Sequence, residues 1–450
     1  MMRKTGFLLA LALLSLTLQG GNAYYVCADG NDGADGRSPS SAWKTLQRVE
    51  AAAVCPGDSV LFHCGDVFRG HLRTVSGEEG RPVFYGSYGA GPKPVLEASY
   101  AAGSPDDWTP AGPGLWKCVK PSERELGNII FDHGRQGCAH KEDRLALLAG
   151  QDLHFTWVGD EHAVYLVSGE NPALRFSSIE LAERQHIIRI NGCHDVCIDH
   201  LWLRYGAAHG IQSNEVARIS ITRCDVCWIG GGTLYVDEKG NGVRYGNGIE
   251  LWGQTEDVRV EGCRVWECWD AGLTNQTKMP GKSQRNIIWR SNEVWNCEYS
   301  YEYWNQGDGA VTENILFEGN VCRDAGKGWG HTQRWNPNAA HLMFYDNTAP
   351  TRSFVVRGNR FERTESCGLR LFNAWYRDIT MEGNTWVVPA NNLCRYHARP
   401  TQGLRYLYPD RLDQVHDDNE AEIQSQTVER PLVFGPGRRS LRRFKARFGF

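Results

Sequence analysis

One short phrase recurs between Val196 and Asn384, and it limits the possible folds more than any other feature of the chain. Two apolar residues one position apart are followed, three residues on, by an anchor. The series runs Val196/Ile198/Leu201, Ile219/Ile221/Cys224, Val258/Val260/Cys263, Ile287/Trp289/Asn292, Ile315/Phe317/Asn320, a looser Val355/Arg357/Asn359, and Ile379/Met381/Asn384. Its anchors stand 23, 39, 29, 28, 39 and 25 residues apart. Alternation of this kind marks strands, and a unit of 23 to 25 residues with long insertions marks a coil of stacked short strands. Leucine-rich repeats share the length but not the residue pattern, and a propeller needs longer, more regular units. The Asn anchors predict an internal ladder that bonds rung to rung and satisfies buried amides.

A second strand follows each anchor, usually opened by Gly: Gly210-Ile211, Gly248-Ile249, Gly272-Leu273, Tyr301, His341-Leu342 and Gly368-Leu369. Insertions at 230–246 and 326–338 precede two of these strands, so they would wall a cleft on one face. Alternation along 248–252, 272–276 and 301–304 sends two columns outward if the segments stack as neighbours. Glu250, Thr274 and Glu302 form one column; Trp252, Gln276 and Trp304 form the other.

The N-terminus reads as an export leader: Arg3 and Lys4, an apolar run from Phe7 to Leu18, then Gly21-Asn22-Ala23. That run is shorter than the roughly 20 apolar residues a membrane span requires. A net charge of −4 gives no sign of a nucleic-acid partner. The basic stretch Arg438, Arg439, Arg442, Arg443, Lys445 and Arg447 reads as a solvated surface tail, with polyanion binding as the alternative. Fifteen cysteines in an exported protein invite a disulfide framework, but the count is odd and the chain is large. Cys224 and Cys263 occupy anchor positions and read as small buried side chains, while Cys27, Cys55 and Cys64 are candidates for one or two disulfides. Cys193/Cys197 and Cys224/Cys227 have zinc-like spacing without the second pair a finger needs, so no metal is assigned.

Ahead of the repeats, Ser41 is expected to cap a helix running through Ala53, with Trp43, Leu46 and Val49 at helical spacing. Tyr24-Tyr25-Val26, the Asp/Gly turn after it, Ala42-Trp43-Lys44-Thr45-Leu46, Pro56-Gly57-Asp58 and Gly65-Asp66-Val67-Phe68-Arg69-Gly70 resemble the opening of secreted right-handed parallel β-helix proteins. Glu79-Gly80-Arg81-Pro82-Val83 and Tyr85-Gly86-Ser87-Tyr88-Gly89 extend the likeness to this pectate-lyase-like superfamily of bacterial glycoside hydrolases and polysaccharide lyases. The resemblance implies an all-β, right-handed parallel β-helix acting on carbohydrate, with an N-terminal cap helix and a β-rich insertion. The expected organisation is a leader at 1–23, cap and first rungs at 24–103, the insertion at 104–185, the coil with its active face at 186–390, and a C-terminal cap and tail at 391–450.

Two carboxyl groups beside two indoles suit a sugar-processing groove. One acid must be protonated to donate to the leaving oxygen, while another must be ionised to activate water or attack the sugar. Glu250 and Glu302 are the expected pair, with Asp270, at the turn before the Thr274 strand, as a third catalytic candidate. Two rungs of separation put their backbones roughly 9.6 Å apart. That spacing leans toward the about 6.5 to 9.5 Å carboxyl separation of inverting enzymes. Trp252, Gln276 and Trp304 are expected to contact substrate, as are Trp329, His331, Gln333 and Arg334 from the second insertion, and His341. His209 precedes an earlier rung and reads first as a structural histidine, with an extension of the site as the alternative. The expected protein is an exported or periplasmic monomeric glycoside hydrolase with a polysaccharide or oligosaccharide substrate and no cofactor. The alternatives are a lyase, with Arg334, His331 or His341 as base and calcium on Glu250 and Asp270, or a non-catalytic glycan-binding protein.

Overall fold

The computed structural model describes residues 21–148, 150–240, 242–334, 338–345, 347–371, 379–387, 394–396 and 427–428. Residues 1–20, most of the stretch expected to be a leader, and nearly all of 391–450, the basic tail included, lie outside the described residues. The chain winds as a right-handed parallel β-helix, with three strands per rung and like strands paired in parallel from rung to rung. The five strands of the face that matters most are β1 (Ile211–Thr222), β2 (Ile249–Glu261), β3 (Ala271–Thr277), β4 (Tyr299–Asn305) and β5 (Ala340–Phe344). The later halves of β1 and β2 continue round a corner into the second face, which goes on through Gln284–Arg290, Thr312–Glu318, Thr351–Arg357 and Ile379–Glu382. A third face runs from Val67–Arg69 through Val95–Glu97 and Trp202–Arg204 to Thr385–Val387 and Thr427–Val428.

The apolar phrase fills the coil. Val196, Ile198, Ile219, Ile221, Val258, Val260, Ile287, Trp289, Ile315 and Phe317 belong to one continuous buried core. One rung is out of phase with the sequence reading: Phe354 and Val356, rather than Val355 and Arg357, pair with Ile315 and Phe317 and are buried. A strand has period two, so a one-residue shift exchanges the core face for solvent. Both parities were apolar enough here to mislead.

At the corner leading into the third face, Arg223, Gly262, Ser291, Gly319, Gly358 and Gly383 all adopt the left-handed conformation, which is least costly for Gly. The next residue in each rung is the anchor. The ladder has the predicted form: Asn292 and Asn320 give both backbone and side-chain N–H to the following Asn Oδ1, and Asn359 does the same to Asn384, at 2.8–3.0 Å. Each Nδ2 also donates to a strand carbonyl, of Val260, Trp289, Phe317 and Val356 in turn. Cys263 enters the series through its backbone N–H, 2.9 Å from Asn292 Oδ1.

Before the coil, the helix is shorter than expected, Leu46–Glu50. It is capped by Thr45, whose hydroxyl accepts from Arg48 N–H, while Ser38 caps a separate turn at Pro39–Ser41. Leu46 and Val49 reach the coil core. The first strand starts at Ala23. Cys27, Cys55 and Cys64 are free thiols, so the disulfides expected there are absent. The coil closes its core without them, and Cys224 and Cys263 are buried as expected.

Residues between Ser99 and Glu183 form a three-stranded and a five-stranded sheet, almost wholly antiparallel, around Trp108, Phe131, Phe155 and Phe176. No helix among the described residues is long and apolar enough to cross a membrane.

Candidate active site

Strand registers place both outward columns as the alternation predicts. Glu250 pairs with Thr274 and Thr274 with Glu302; Trp252 pairs with Gln276 and Gln276 with Trp304. Above them the first insertion folds into a hairpin, Thr233–Val236 against Gly242–Arg244, which roofs a cleft of about 390 Å³. Glu250, Glu302, Asp270, Trp252, Gln276, Trp304 and Arg334 all line it, with Tyr245, Asn247, Lys278 and Tyr345.

Three carboxyl groups share this space in different surroundings. Glu250 and Glu302 are 6% and 4% exposed. Burial pushes the Glu250 carboxyl up to about 8; a hydrogen bond from Asn247 opposes the shift, and the charge of Asp270 adds to it. Burial, then the charges of Asp270 and Glu250, hold Glu302 well above the ordinary carboxylate range. Gln276 Nε2 and Thr274 Oγ1 both donate to Glu302 Oε2, the second at 3.4 Å, which leaves Oε1 to carry the proton. Asp270 is more open, with its side chain 26% exposed, and its Oδ1 accepts from Arg334 Nη2 at 2.9 Å. The Arg334 guanidinium lies 5.2 Å over the Trp269 ring, which fixes its approach.

His209, read as structural from the sequence, reaches the cleft. Its Nε2 is 3.0 Å from Glu250 Oε2, the geometry of an ion pair. Burial drives the imidazole well below its usual range, however, and Nδ1 accepts Asn247 N–H at 3.0 Å. The ring is therefore neutral, with its proton on Nε2 facing the carboxyl. His186 repeats the arrangement one rung earlier: its Nδ1 accepts His209 N–H at 3.1 Å, and the two rings stack at 5.2 Å. Asn247 continues the series by accepting Ala271 N–H at 3.2 Å. His186, His209 and Asn247 thus form a second side-chain ladder along the edge of the cleft. Its sequence signal is a polar residue recurring just ahead of the Gly-opened strands.

Four residues expected to contact substrate lie elsewhere. His341 is fully buried, bonded to Ser300 Oγ at 3.0 Å, with its ring beside Phe361. It occupies the rung position held by Gly248 and Gly272, where a Cβ would come within 2.5 Å and 2.4 Å of Val265 and Val294 of the third face. That position points inward. His331 is buried against Glu298, 2.9 Å away. Trp329 packs on Trp269 and donates to Glu267 O. Gln333 donates to Ala139 O at 2.8 Å, tying the second insertion to the β-rich region. Only Arg334 of that loop's named residues enters the cleft. Trp304 has one face taken, since Lys278 Nζ stands 4.2 Å over its ring.

The calcium expected under the lyase alternative would need Glu250 and Asp270. Asp270 is engaged by Arg334, and Glu250 faces neutral His209 and Asn247, a poor oxygen cage for a hard cation. Another group has metal-ligand character. His140, Glu142 and His154 in the five-stranded sheet hold their donor atoms within 4.8 Å of one another, and His154 Nδ1 is 2.8 Å from Glu142 Oε1.

No family model matches the chain, and no curated protein matches it. Among solved structures it is similar to XylC in complex with xylose, at 11% identity and a TM-score of 0.45, covering 90% of this chain and 82% of that one. It is also similar to a GH136 lacto-N-biosidase from Eubacterium ramulus (15%, TM-score 0.45, covering 83% and 61%). A third is an alginate lyase from Paenibacillus (12%, TM-score 0.46, covering 79% and 90%). This chain spans 61% of the lacto-N-biosidase's length. Likeness at this level carries no chemistry across.

Proposed function

We propose that this chain is an exported glycoside hydrolase that cleaves a polysaccharide at the cleft lined by Glu250, Asp270 and Glu302. The carrying observation is the contrast among the carboxyls: two buried glutamic acids held toward the protonated form beside an aspartate held by a guanidinium. Like charges this close cannot all ionise, so the most open and best-paired group keeps its charge. Glu302 then donates its Oε1 proton to the leaving glycosidic oxygen, and Asp270 serves as the ionised partner that activates water or attacks the sugar. Glu250 is the third acid, its protonation tied to the Asp270 charge. This differs from the pairing of Glu250 with Glu302 expected from the sequence, because Glu250 at about 8 is a poor base at neutral pH.

Elimination has weaker support. Of the bases it would use, His331 and His341 are buried outside the cleft, and Arg334 is paired with Asp270. The test is a panel of neutral and acidic polysaccharides, with reducing ends and ultraviolet absorbance followed together. New reducing ends without an unsaturated chromophore are expected. Ultraviolet-absorbing products would establish a lyase, and binding without cleavage of any glycan would leave a non-catalytic protein.

A further inference from the structure

The outward column that carries the acids continues past Glu250 in the opposite direction. Glu250 pairs with Gln212, Gln212 with Arg189 and Arg189 with Arg73, each in parallel register. Arg189 therefore stands two rungs from Glu250, roughly 9.6 Å along the coil, and Arg73 about 14.4 Å. At that level the surface opens into a second cavity of about 210 Å³, lined by His71, Arg73, Arg124, Arg184, His186 and Arg189 among others. Tyr245 lines both this cavity and the cleft. The stacked His186 and His209 rings form a common wall between them.

The charges here are arranged unlike those elsewhere on the coil. Arginines of the outer faces are matched to acids: Arg218 to Asp195, Arg223 to Asp199, Arg264 to Asp225 and Arg363 to Asp324. In the cavity, Arg184 is engaged by Glu125 and by Thr233 O. Glu50 accepts Arg73 N–H and lies 3.5 Å from His71, and Glu183 lies near Arg124. Among the described residues, no carboxylate pairs with the guanidinium groups of Arg73, Arg124 or Arg189. The Arg189 Nε is buried with no hydrogen-bond partner, and so is Oε1 of Gln212, the next residue toward Glu250. A buried donor without a partner is destabilising, and guanidinium groups lining one cavity repel one another. Such an arrangement is relieved by an anion that accepts from planar, forked donors.

We propose that this basic cavity is a subsite for an anionic group on the glycan, a uronate carboxylate or a sulfate ester, with the chain laid along the coil axis from the arginines to the acids. The inference rests on the glycoside hydrolase reading for its direction along the cleft, but anion binding at the cavity does not require cleavage. Substrate would then be selected by charge four or five rungs from Glu302, the acid at the bond that breaks. Neutral glycans would leave three arginines unpaired.

Affinity electrophoresis tests this without turnover. Gels cast with polygalacturonate or alginate offer carboxylates, carrageenan offers sulfates, and xylan is neutral. Retardation of the wild-type chain is expected in one of the acidic gels, and which one identifies the anion. Arg73→Ala/Arg189→Ala should weaken that retardation about tenfold or more, since a charge-assisted contact is worth roughly 1.5–3 kcal/mol. Arg259→Ala/Arg285→Ala, with the same charge change on the second face, should leave it unaltered. Arg124→Ala, on an exposed side chain, provides a second reading should the double variant fold poorly. Three results would overturn the subsite: retardation by xylan alone, unchanged retardation of the cavity variants, or equal loss in the control pair. Failure of hydrolysis in the glycan panel would leave all of these readings intact.

Discussion

Two columns of polar side chains climb the same coil, and they are built in opposite ways. In the Asn292–Asn320–Asn359–Asn384 ladder, amide groups find partners in the next rung and in a strand carbonyl. In the Glu250–Thr274–Glu302 column, equally buried carboxyls are pushed toward neutrality by burial and by a neighbouring charge. The registers are alike, so the geometry of the coil does not cause the difference. Amides can donate and accept along a stack, whereas ionised carboxylates only accept and repel. The ladder therefore adds bonds between rungs whose spacing the strand pairing sets, and the acids occupy a scaffold that does not depend on them.

The largest expected effect breaks the comparison on the cleft side. Asp270→Asn keeps the shape but removes the ionised partner, so kcat should fall by about 10²- to 10⁴-fold with little change in the melting curve. Next, Asn320→Ala breaks it on the ladder side. It orphans Asn292 N–H and Trp289 O, at about 1–3 kcal/mol for each buried group. A clear drop in melting temperature is expected, with activity retained below the transition. The smallest effect is a pH dependence. Glu250 holds its proton up to about 8 when folded, but ionises near the ordinary glutamate value of 4.5 when unfolded. Its contribution to stability is therefore complete at acid pH and is lost as pH rises through that window. Melting temperature measured across the window should fall for the wild-type chain and fall less for Glu250→Gln.

The coil and the acidic column were legible because both depend on period two, which the sequence displays directly in Gly248–Trp252 and Tyr301–Trp304. The Asn ladder was legible because each anchor stands at a fixed offset from its apolar pair. Trp329, His331, Gln333 and His341 were misread for one reason. Polar and aromatic groups in an insertion can face a ligand or bond inward, and only tertiary packing decides between them. For His341 a signal existed: it stands where other rungs carry Gly248 or Gly272, a position too crowded to face outward. His209 was undervalued because its role depends on Asn247 N–H fixing the tautomer, a contact across 38 residues. The three uncommitted arginines could not be found from spacing, since Arg73 and Arg189 meet only after the β-rich region has folded out between them.

The central claim is that the coil keeps the buried Glu302 protonated in a cleft it shares with a charged aspartate. Infrared difference spectroscopy at neutral pH, wild type minus Glu302→Gln, reads that proton directly. A protonated carboxyl carbonyl band, lost in the variant, is the predicted result. A difference spectrum showing only ionised carboxylate bands would contradict the account, because Glu302 would then have no proton to give.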